Sequence, residues 1–264
     1  MDLIETCGGS GRRGGGHDDR DRGSRGGGEP VSTLPLPVPT PTHRAISPGG
    51  GGLTPANFKV AFIGDQGLGR SSVSVLELIR DEGADMVLHQ GDFDYEDDPD
   101  AWDQQISSVL GSDYPYFASV GNHEAPEFWP AYQAKLQERL DRIADAECIG
   151  DLGVQAACSY HGLFFILSAA TYMGSGHEDF IRDQLANDES VWSICSWHFN
   201  HVLLQTGDHG GIRDFGIYEE CRKGGAMIAN GHLHAYSRTH LMDDFETQSI
   251  ASTSNTLMLN AQQG

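Results

Sequence analysis

The chain is organised around residues 231–239 (GHLHAYSRT), which follow the apolar run 226–229 (AMIA). The apolar run predicts a buried strand. On extended backbone, His232 and His234 would project to the same side, with Cα atoms roughly 6–7 Å apart. That spacing suits two metal ions about 3.5–4 Å apart, with one imidazole on each ion. Imidazoles at a strand end are often ordinary polar groups, so a metal site requires further ligands from elsewhere in the chain.

Side chains of metal-ligand type also follow the other predicted strands. Apolar runs predict strands over 58–63, 86–88, 116–120 and 191–197. The polar residues that follow them are, in the same order, Asp65, Asp92, Asn122 and His198. The carboxyl ends of strands in an open α/β sheet lie at one edge, where ligands bind. We therefore expect these four side chains to meet the two histidines at that edge.

Segments with apolar residues at helical spacing lie between the strands, as in 73–79 and 128–143. Alternating strands and helices predict an α/β fold with helices flanking the sheet. The first helix is expected to begin at an N-cap of Ser71 or Ser72 and to end at Gly83.

The N-terminal part of the chain differs in composition from the rest. Residues 1–30 are rich in Gly, Arg, Asp and Ser, and residues 30–42 contain five prolines. Such segments bury too little apolar surface to fold. We expect residues 1–56 to form a disordered tail and linker, and residues 57–264 to form one folded domain.

The net charge of -21 limits the classes of partner. Nucleic acids and anionic membranes both require a basic surface, so neither is expected to bind. An anionic substrate would need bound cations to reverse the local field. The longest apolar run, 163–167, is far shorter than the roughly 18 residues of a membrane span. No apolar core of a secretory signal is visible near the N-terminus.

Five cysteines do not make a disulfide scaffold. Cys148 and Cys158 bracket a glycine-containing loop and could pair in an oxidising compartment. The alternative, five reduced thiols, is left open by the sequence.

The combination of carboxylate and amide oxygens with imidazole nitrogens suits Fe, Mn, Zn or Co better than Ca. The same residues lie in motifs that resemble those of the calcineurin-like metallophosphoesterases. The motifs are GDQG at 64–67, GDxxY at 91–95, GNHE at 121–124, the strand-terminal His198 and GHxH at 231–234. The first two motifs, together with the tail 235–239 (AYSRT), resemble the purple acid phosphatase branch.

The resemblance implies a metallophosphoesterase-type β-sandwich flanked by helices (αββα), with residues 57–264 as the catalytic domain. It also implies a dinuclear centre of Fe(III) and a divalent Fe, Zn or Mn. The Fe(III) ligands would be Asp65, Asp92, Tyr95 and His234. The ligands of the divalent ion would be Asp92 (as a bridge), Asn122, His198 and His232. Fe(III) prefers a phenolate such as that of Tyr95, whose alternative role is to pack under its loop.

The activity that the resemblance implies is hydrolysis of small-molecule phosphomonoesters by attack of a metal-bound hydroxide on phosphorus. His123 would hydrogen-bond the phosphate, or alternatively orient Asn122. A general acid must protonate the leaving group, and relatives supply a histidine from the loop after the His198 strand. His201 and His209 are the two candidates. The family would also suggest a secreted, vacuolar or lysosomal location.

Three other interpretations remain open, as does the oligomeric state. Residues 64–71 (GDQGLGRS) approach a P-loop pattern, although Arg does not replace its Lys and Asp65 would lie beside the phosphates. A phosphodiesterase or nucleotide pyrophosphatase of the same fold would differ in the loops that select the substrate. Relatives continue into further strands beyond the point where this chain ends, soon after 256–259 (TLML). C-terminal strands could therefore be missing, and the chain could be an inactive metal-binding fragment.

Overall fold

The computed structural model describes residues 3–5, 54–207 and 209–255. The first four strands of the described residues form a parallel sheet. Its strands in spatial order are β1 (Leu3–Glu5), β2 (Val60–Ile63), β3 (Met86–His89) and β4 (Tyr116–Ala118). The predictions of β2, β3 and β4 are confirmed. Parallel strands place their carboxyl ends at the same edge, which is where the predicted ligands follow them.

Strand β1 departs from the disordered tail that was expected over residues 1–56. Its three residues pair in parallel with residues 60–62 of β2. The edge of a sheet offers unpaired N–H and C=O groups, to which even a very short strand can bond. Residues 6–53 lie outside the described residues, and the domain boundary at residue 57 stays a prediction.

Helices α1 (Arg70–Asp81), α2 (Pro99–Val109) and α3 (Trp129–Leu140) pack against this first sheet. Each buries large apolar side chains in the core that the sheet shares, among them Leu76 and Trp102. The longest helices described have 12 residues, and none of them is long and apolar enough to cross a bilayer.

The first helix begins slightly earlier than predicted. Its N-cap is Gly69 rather than Ser71 or Ser72. The hydroxyl of Ser72 is turned inward and donates to the carbonyl of Gln66, so it stabilises the turn before the helix instead of capping it. Gly83 ends the helix as predicted, with a left-handed φ of 64°.

The second sheet has five strands, and the first of them has no signal in the hydrophobic pattern of the sequence. Its order is β5 (Ala146–Asp151), β6 (Gln155–Tyr160), β7 (Leu163–Ser168), β8 (Trp192–Ser196) and β9 (Met227–Ala229). Strands β5 to β7 are antiparallel, and β7 to β9 are parallel. Strand β5 has no buried residue and reads AECIGD, so hydrophobic alternation does not reveal it.

Two further helices and a hairpin complete the second half. Helix α4 (His177–Leu185) precedes β8, and α5 (Gly216–Lys223) precedes β9. Strands β10 (Leu241–Asp244) and β11 (Ser249–Ser252) pair in an antiparallel hairpin.

The two sheets pack face to face, with helices on both outer sides. Along β7, Leu163, Phe165 and Leu167 join the core shared with the first sheet. The alternate residues Phe164 and Ile166 join a second core with α4 and α5. This period of two is that of a strand buried on both faces. The αββα sandwich expected from the resemblance is confirmed.

Two disulfides lie in the second half of the chain. Cys148 and Cys158 pair across directly opposite positions of β5 and β6, so the alternative of five reduced thiols is wrong. The buried pair Cys195–Cys221 joins β8 to α5 and was not predicted. It anchors the strand that leads into His198 to the helix that leads into β9.

We expect mass spectrometry of the non-reduced protein to detect the Cys195–Cys221 link directly. Trypsin cleaves after arginine and separates the two cysteines into peptides 183–213 and 214–222. Only a disulfide holds these peptides together, so they should elute as one species that reduction splits.

Cys148 and Cys158 provide the internal control, because both fall on peptide 143–182. Reduction should add two hydrogens to that peptide without splitting it. Alkylation of Cys195 in unreduced, denatured protein would contradict the pairing.

Candidate metal centre

The residues that follow five of the strands lie together at one edge of the sandwich. They are Asp65, Asp92, Asn122, His198 and His232, after β2, β3, β4, β8 and β9 respectively. The two sheets are joined near this edge, where the hydroxyl of Ser119 donates to the main-chain carbonyl of Ser196 at 2.9 Å. Side chains from both sheets can therefore contribute to one site.

Asp65, Tyr95 and His234 form a first donor group. The Tyr95 hydroxyl lies 3.1 Å from Oδ1 of Asp65 and 2.9 Å from Nε2 of His234. The same His234 nitrogen lies 3.3 Å from Oδ1 of Asp65. A metal ion held about 2.0–2.2 Å from each donor needs donors roughly 3 Å apart. The carboxylate, phenol and imidazole of this group meet that requirement.

Asp92, His198 and His232 form a second donor group, with ligand atoms that all lie within 4.8 Å of one another. Nε2 of His198 lies 3.3 Å from Oδ2 of Asp92 and 2.9 Å from Oδ1 of Asn122. Nδ1 of His198 lies 2.7 Å from the carbonyl of Gln90 and donates to it, which orients Nε2 toward the other donors. Burial, with the charge of His198, lowers the pKa of His232, which favours the neutral imidazole, the form that binds metal.

Five of the seven predicted ligands have left-handed backbone. Their φ angles are 55° at Asp65, 58° at Asp92, 61° at Tyr95, 78° at His232 and 46° at His234. For residues other than glycine, such conformations cost of order 1–3 kcal/mol each and cluster at functional sites. The local backbone is therefore shaped by the site rather than by intrinsic preference.

The two histidines of the GHLH segment do not lie on extended backbone, as the spacing argument assumed. Strand β9 ends before the segment, and the amide of Gly231 donates to the carbonyl of His198 at 2.9 Å. The amide of His232 donates to Oδ2 of Asp65, also at 2.9 Å. These bonds turn the chain, so that His232 joins the second donor group and His234 the first.

Glycines that precede the ligands let the loops approach one another closely. A Cβ atom at Gly121 would overlap the amide nitrogen and Oδ1 of Asp92. A Cβ atom at Gly231 would lie 2.9 Å from the carbonyl oxygen of Gln90 and 3.2 Å from Oδ2 of Asp65. A side chain at either position would force these loops, and the candidate ligands on them, apart.

Several acidic side chains lie close together at this edge, and burial and their charges shift the pKa values of the groups there. Burial alone would raise the pKa of Asp92, but hydrogen bonding and charge from His198 hold it below its ordinary value. Burial, followed by the charges of Asp65 and Asp92, raises the pKa of Tyr95. Burial and the charge of Asp92 raise the pKa of Glu124 to about 7. Cations would relieve this crowding and displace the phenolic proton of Tyr95.

His123 lies on the open side of the two donor groups. Its side chain is 52% exposed, and Nε2 lies 3.8 Å from Oδ2 of Asp92. Its ring meets that of Tyr95 edge to face, with 4.6 Å between centroids. The histidine can therefore reach a molecule that approaches the site from solvent.

The two candidates for the general acid lie in different surroundings. The ring of His201 is buried and stacks on Phe215 with 3.5 Å between centroids, and burial lowers its pKa. His209 is exposed, and its ring centroid lies 6.2 Å from that of His232. His209 therefore adjoins the second donor group, whereas His201 packs in the core beside α5.

The sequence patterns indicated no role for two groups that lie at the site. The buried carboxylate of Glu124 accepts the main-chain N–H groups of Asp92, Phe93 and Gly121 at 3.2, 2.8 and 3.0 Å. Its place in the GNHE motif was the only signal for it. The other group, the carbonyl of Gln90, belongs to the main chain, so no side-chain pattern could have indicated it.

The P-loop interpretation of residues 64–71 does not fit the structure. A P-loop presents free main-chain N–H groups to phosphates. The amides of Asp65, Gln66 and Gly67 instead donate to the carbonyls of residues 91–93, each at 2.9 Å. These amides join the loops that carry Asp65 and Asp92 and are not free to bind a nucleotide.

Comparison with known proteins bears on the family of this chain. No curated protein matches it. One similar solved structure is the purple acid phosphatase PPD1 isolated from yellow lupin (Lupinus luteus) seeds, with 20% identity and a TM-score of 0.43. The match covers 64% of this chain and 37% of the lupin chain. Residues 58–236, more than half of the chain, match the family described as calcineurin-like phosphoesterase. The chain therefore belongs to the calcineurin-like phosphoesterase family.

Proposed function

We propose that this protein is a metal-dependent phosphomonoesterase with a dinuclear centre of the purple acid phosphatase type. The observation that carries the proposal is the meeting of two donor groups at one edge of the sandwich, one of which contains a phenol. Carboxylate and imidazole alone would suit many divalent ions, whereas Tyr95 favours Fe(III) in the first group.

Each ion would have its own ligand set, with Asp92 shared between them. Fe(III) would be held by Asp65, Asp92, Tyr95 and His234. A divalent Fe, Zn or Mn would be held by Asp92, Asn122, His198 and His232. When bound, the two cations would supply Lewis acidity, which neutralises phosphate charge and makes water a stronger nucleophile at neutral pH. This charge is needed because the protein has a net charge of -21.

The chain's own residues would orient the substrate around these ions. His123 would donate a hydrogen bond to a phosphate oxygen, which its exposure beside Asp92 permits. His209 would protonate the leaving alkoxide, because it is exposed beside His232. His201 is a poorer candidate, since its ring is buried against Phe215 and burial lowers its pKa, whereas a histidine that acts as general acid must be an imidazolium.

The substrates proposed are small-molecule phosphate esters, with neither nucleic acid nor membrane as partner. The location proposed is secreted, vacuolar or lysosomal. The two disulfides support this, because disulfides persist in oxidising compartments.

The function is tested by measuring metal content and hydrolysis together. Purified protein should contain two metal ions per chain and cleave phosphomonoesters faster than phosphodiesters. Asp92→Ala should lose both metals and the activity, because Asp92 is shared by the two ligand sets. Asp113→Ala, which changes an exposed aspartate, is the matched control and should change neither.

Full metal content in Asp92→Ala would count against the shared ligand. Faster cleavage of diesters would favour a phosphodiesterase. Two bound metals without any turnover would favour an inactive metal-binding module.

The iron-loaded protein should absorb visible light through a ferric–phenolate bond, and Tyr95→Phe should abolish that band while the protein remains folded. Tyr114→Phe is the matched control, since the hydroxyl of Tyr114 bonds to the carbonyl of Ala84 away from the donor groups. An absorption spectrum of each protein measures the difference. A colourless iron-loaded wild type would rule out the purple type.

His209→Gln should lower kcat about 10²–10⁴-fold for an alkyl phosphate, whose alkoxide cannot leave without a proton. The same variant should lose much less activity on p-nitrophenyl phosphate, because p-nitrophenolate leaves readily unprotonated. His201→Gln changes the other histidine of the loop and should not show this dependence on the leaving group. Equal losses of His209→Gln on both substrates, or the selective loss in His201→Gln, would contradict the assignment.

A further inference from the structure

Glu124 connects the two loops that carry Asp92 and Asn122. The residue is only 2% exposed. Oε2 accepts the amides of Asp92 at 3.2 Å and Gly121 at 3.0 Å, and Oε1 accepts the amide of Phe93 at 2.8 Å. All three donors are main-chain groups, so Glu124 contacts the backbone of a metal ligand rather than its side chain.

We propose that Glu124 is a positioning residue for the metal centre, which holds the main chain of Asp92 at a fixed distance from the loop of Asn122. The inference rests on the proposed dinuclear centre and extends it to a residue that binds no metal. Its physical basis is that a carboxylate with two acceptor oxygens binds several N–H donors more strongly than a neutral group does.

The main chain of Asp92 requires such support. Its φ of 58° is unfavourable for a residue other than glycine, and would relax if nothing held it. The side chain of Asp92 in turn accepts the amide of His123 at 3.1 Å. Two carboxylates therefore link the same pair of loops in opposite directions: Glu124 to residues 92 and 93, and Asp92 to residue 123.

The fit between these loops leaves little room for adjustment. A Cβ atom at Gly121 would overlap Asp92, so the two segments are already in contact. If the hydrogen bonds to the Glu124 carboxylate were lost, three buried N–H groups would have no acceptor, and the loops would separate to let water reach them. The donor atoms of Asp92 and Asn122 would then no longer face the same ion.

Glu124→Gln tests the inference, because it keeps the size of the side chain but replaces one acceptor oxygen with an NH₂ donor. That donor would face main-chain N–H groups at close range. We expect the affinity for at least one zinc ion to fall about 10–100-fold, as when the groups that orient metal ligands are lost. Excess zinc should restore part of the activity, because the reacting groups themselves are intact.

Glu127→Gln is the matched control, since Glu127 lies three residues further along and is exposed. It should bind zinc like the wild type. Zinc content after gel filtration, together with competition against a chromophoric chelator, measures both variants without relying on activity. Unchanged zinc affinity in Glu124→Gln would overturn the inference.

A second measurement applies if Glu124→Gln does not fold. In the zinc-loaded wild type, the amides of Asp92, Phe93 and Gly121 should exchange with solvent deuterium about as slowly as the amides of β3. Exchange as fast as in an unstructured peptide would overturn the inference.

The outcomes also separate this inference from the proposed function. A wild type that holds fewer than two metal ions, iron and zinc counted together, overturns the dinuclear centre, and the inference with it. A wild type that holds two metal ions, with equal zinc affinity in Glu124→Gln, overturns only the role of Glu124.

Discussion

The carboxylate of Asp65 makes the interactions on which the rest of the site depends. Oδ2 accepts the amide of His232, which lies 167 positions further along the chain. Oδ1 accepts the hydroxyl of Tyr95. One side chain therefore connects the ends of β2 and β9 with the loop after β3, and so joins the two sheets. Packing of the sandwich brings these ends near one another, and the bonds to Asp65 determine how they are placed.

Unfavourable backbone at the site is compensated by the site's own hydrogen bonds. A left-handed residue costs of order 1–3 kcal/mol, and a hydrogen bond to a charged group contributes about 1.5–3 kcal/mol. Asp92 and His232 both have left-handed backbone. The amide of Asp92 donates to the carboxylate of Glu124, and the amide of His232 donates to the carboxylate of Asp65. The candidate ligands are thus positioned by the protein's own hydrogen bonds. In the proposed metal centre, such preorganisation would favour selection of metals by geometry.

Features that depend on local pattern could be predicted from the sequence. The apolar runs indicated β2, β3, β4, β8 and β9, and the polar residue after each of them lies at the common edge. Features that depend on tertiary contacts could not be predicted. Ser72 bonds to the carbonyl of Gln66 instead of capping α1, β5 is recognisable only from its pairing with β6, and Cys195 meets Cys221 only after β8 and α5 have packed. The turn at His232 likewise requires Asp65, which periodicity within residues 226–234 cannot reveal.

The crowding at Gly121 and Gly231 has a consequence for the motifs themselves. The residues of the motifs serve two different purposes. The acids, amides and imidazoles supply donor atoms, and the glycines allow a close approach because they have no Cβ atom. A protein engineer who copied only the ligands onto another sandwich would reproduce the donors but not the distance between the loops that carry them. The glycines of the motifs therefore determine how closely these loops approach one another.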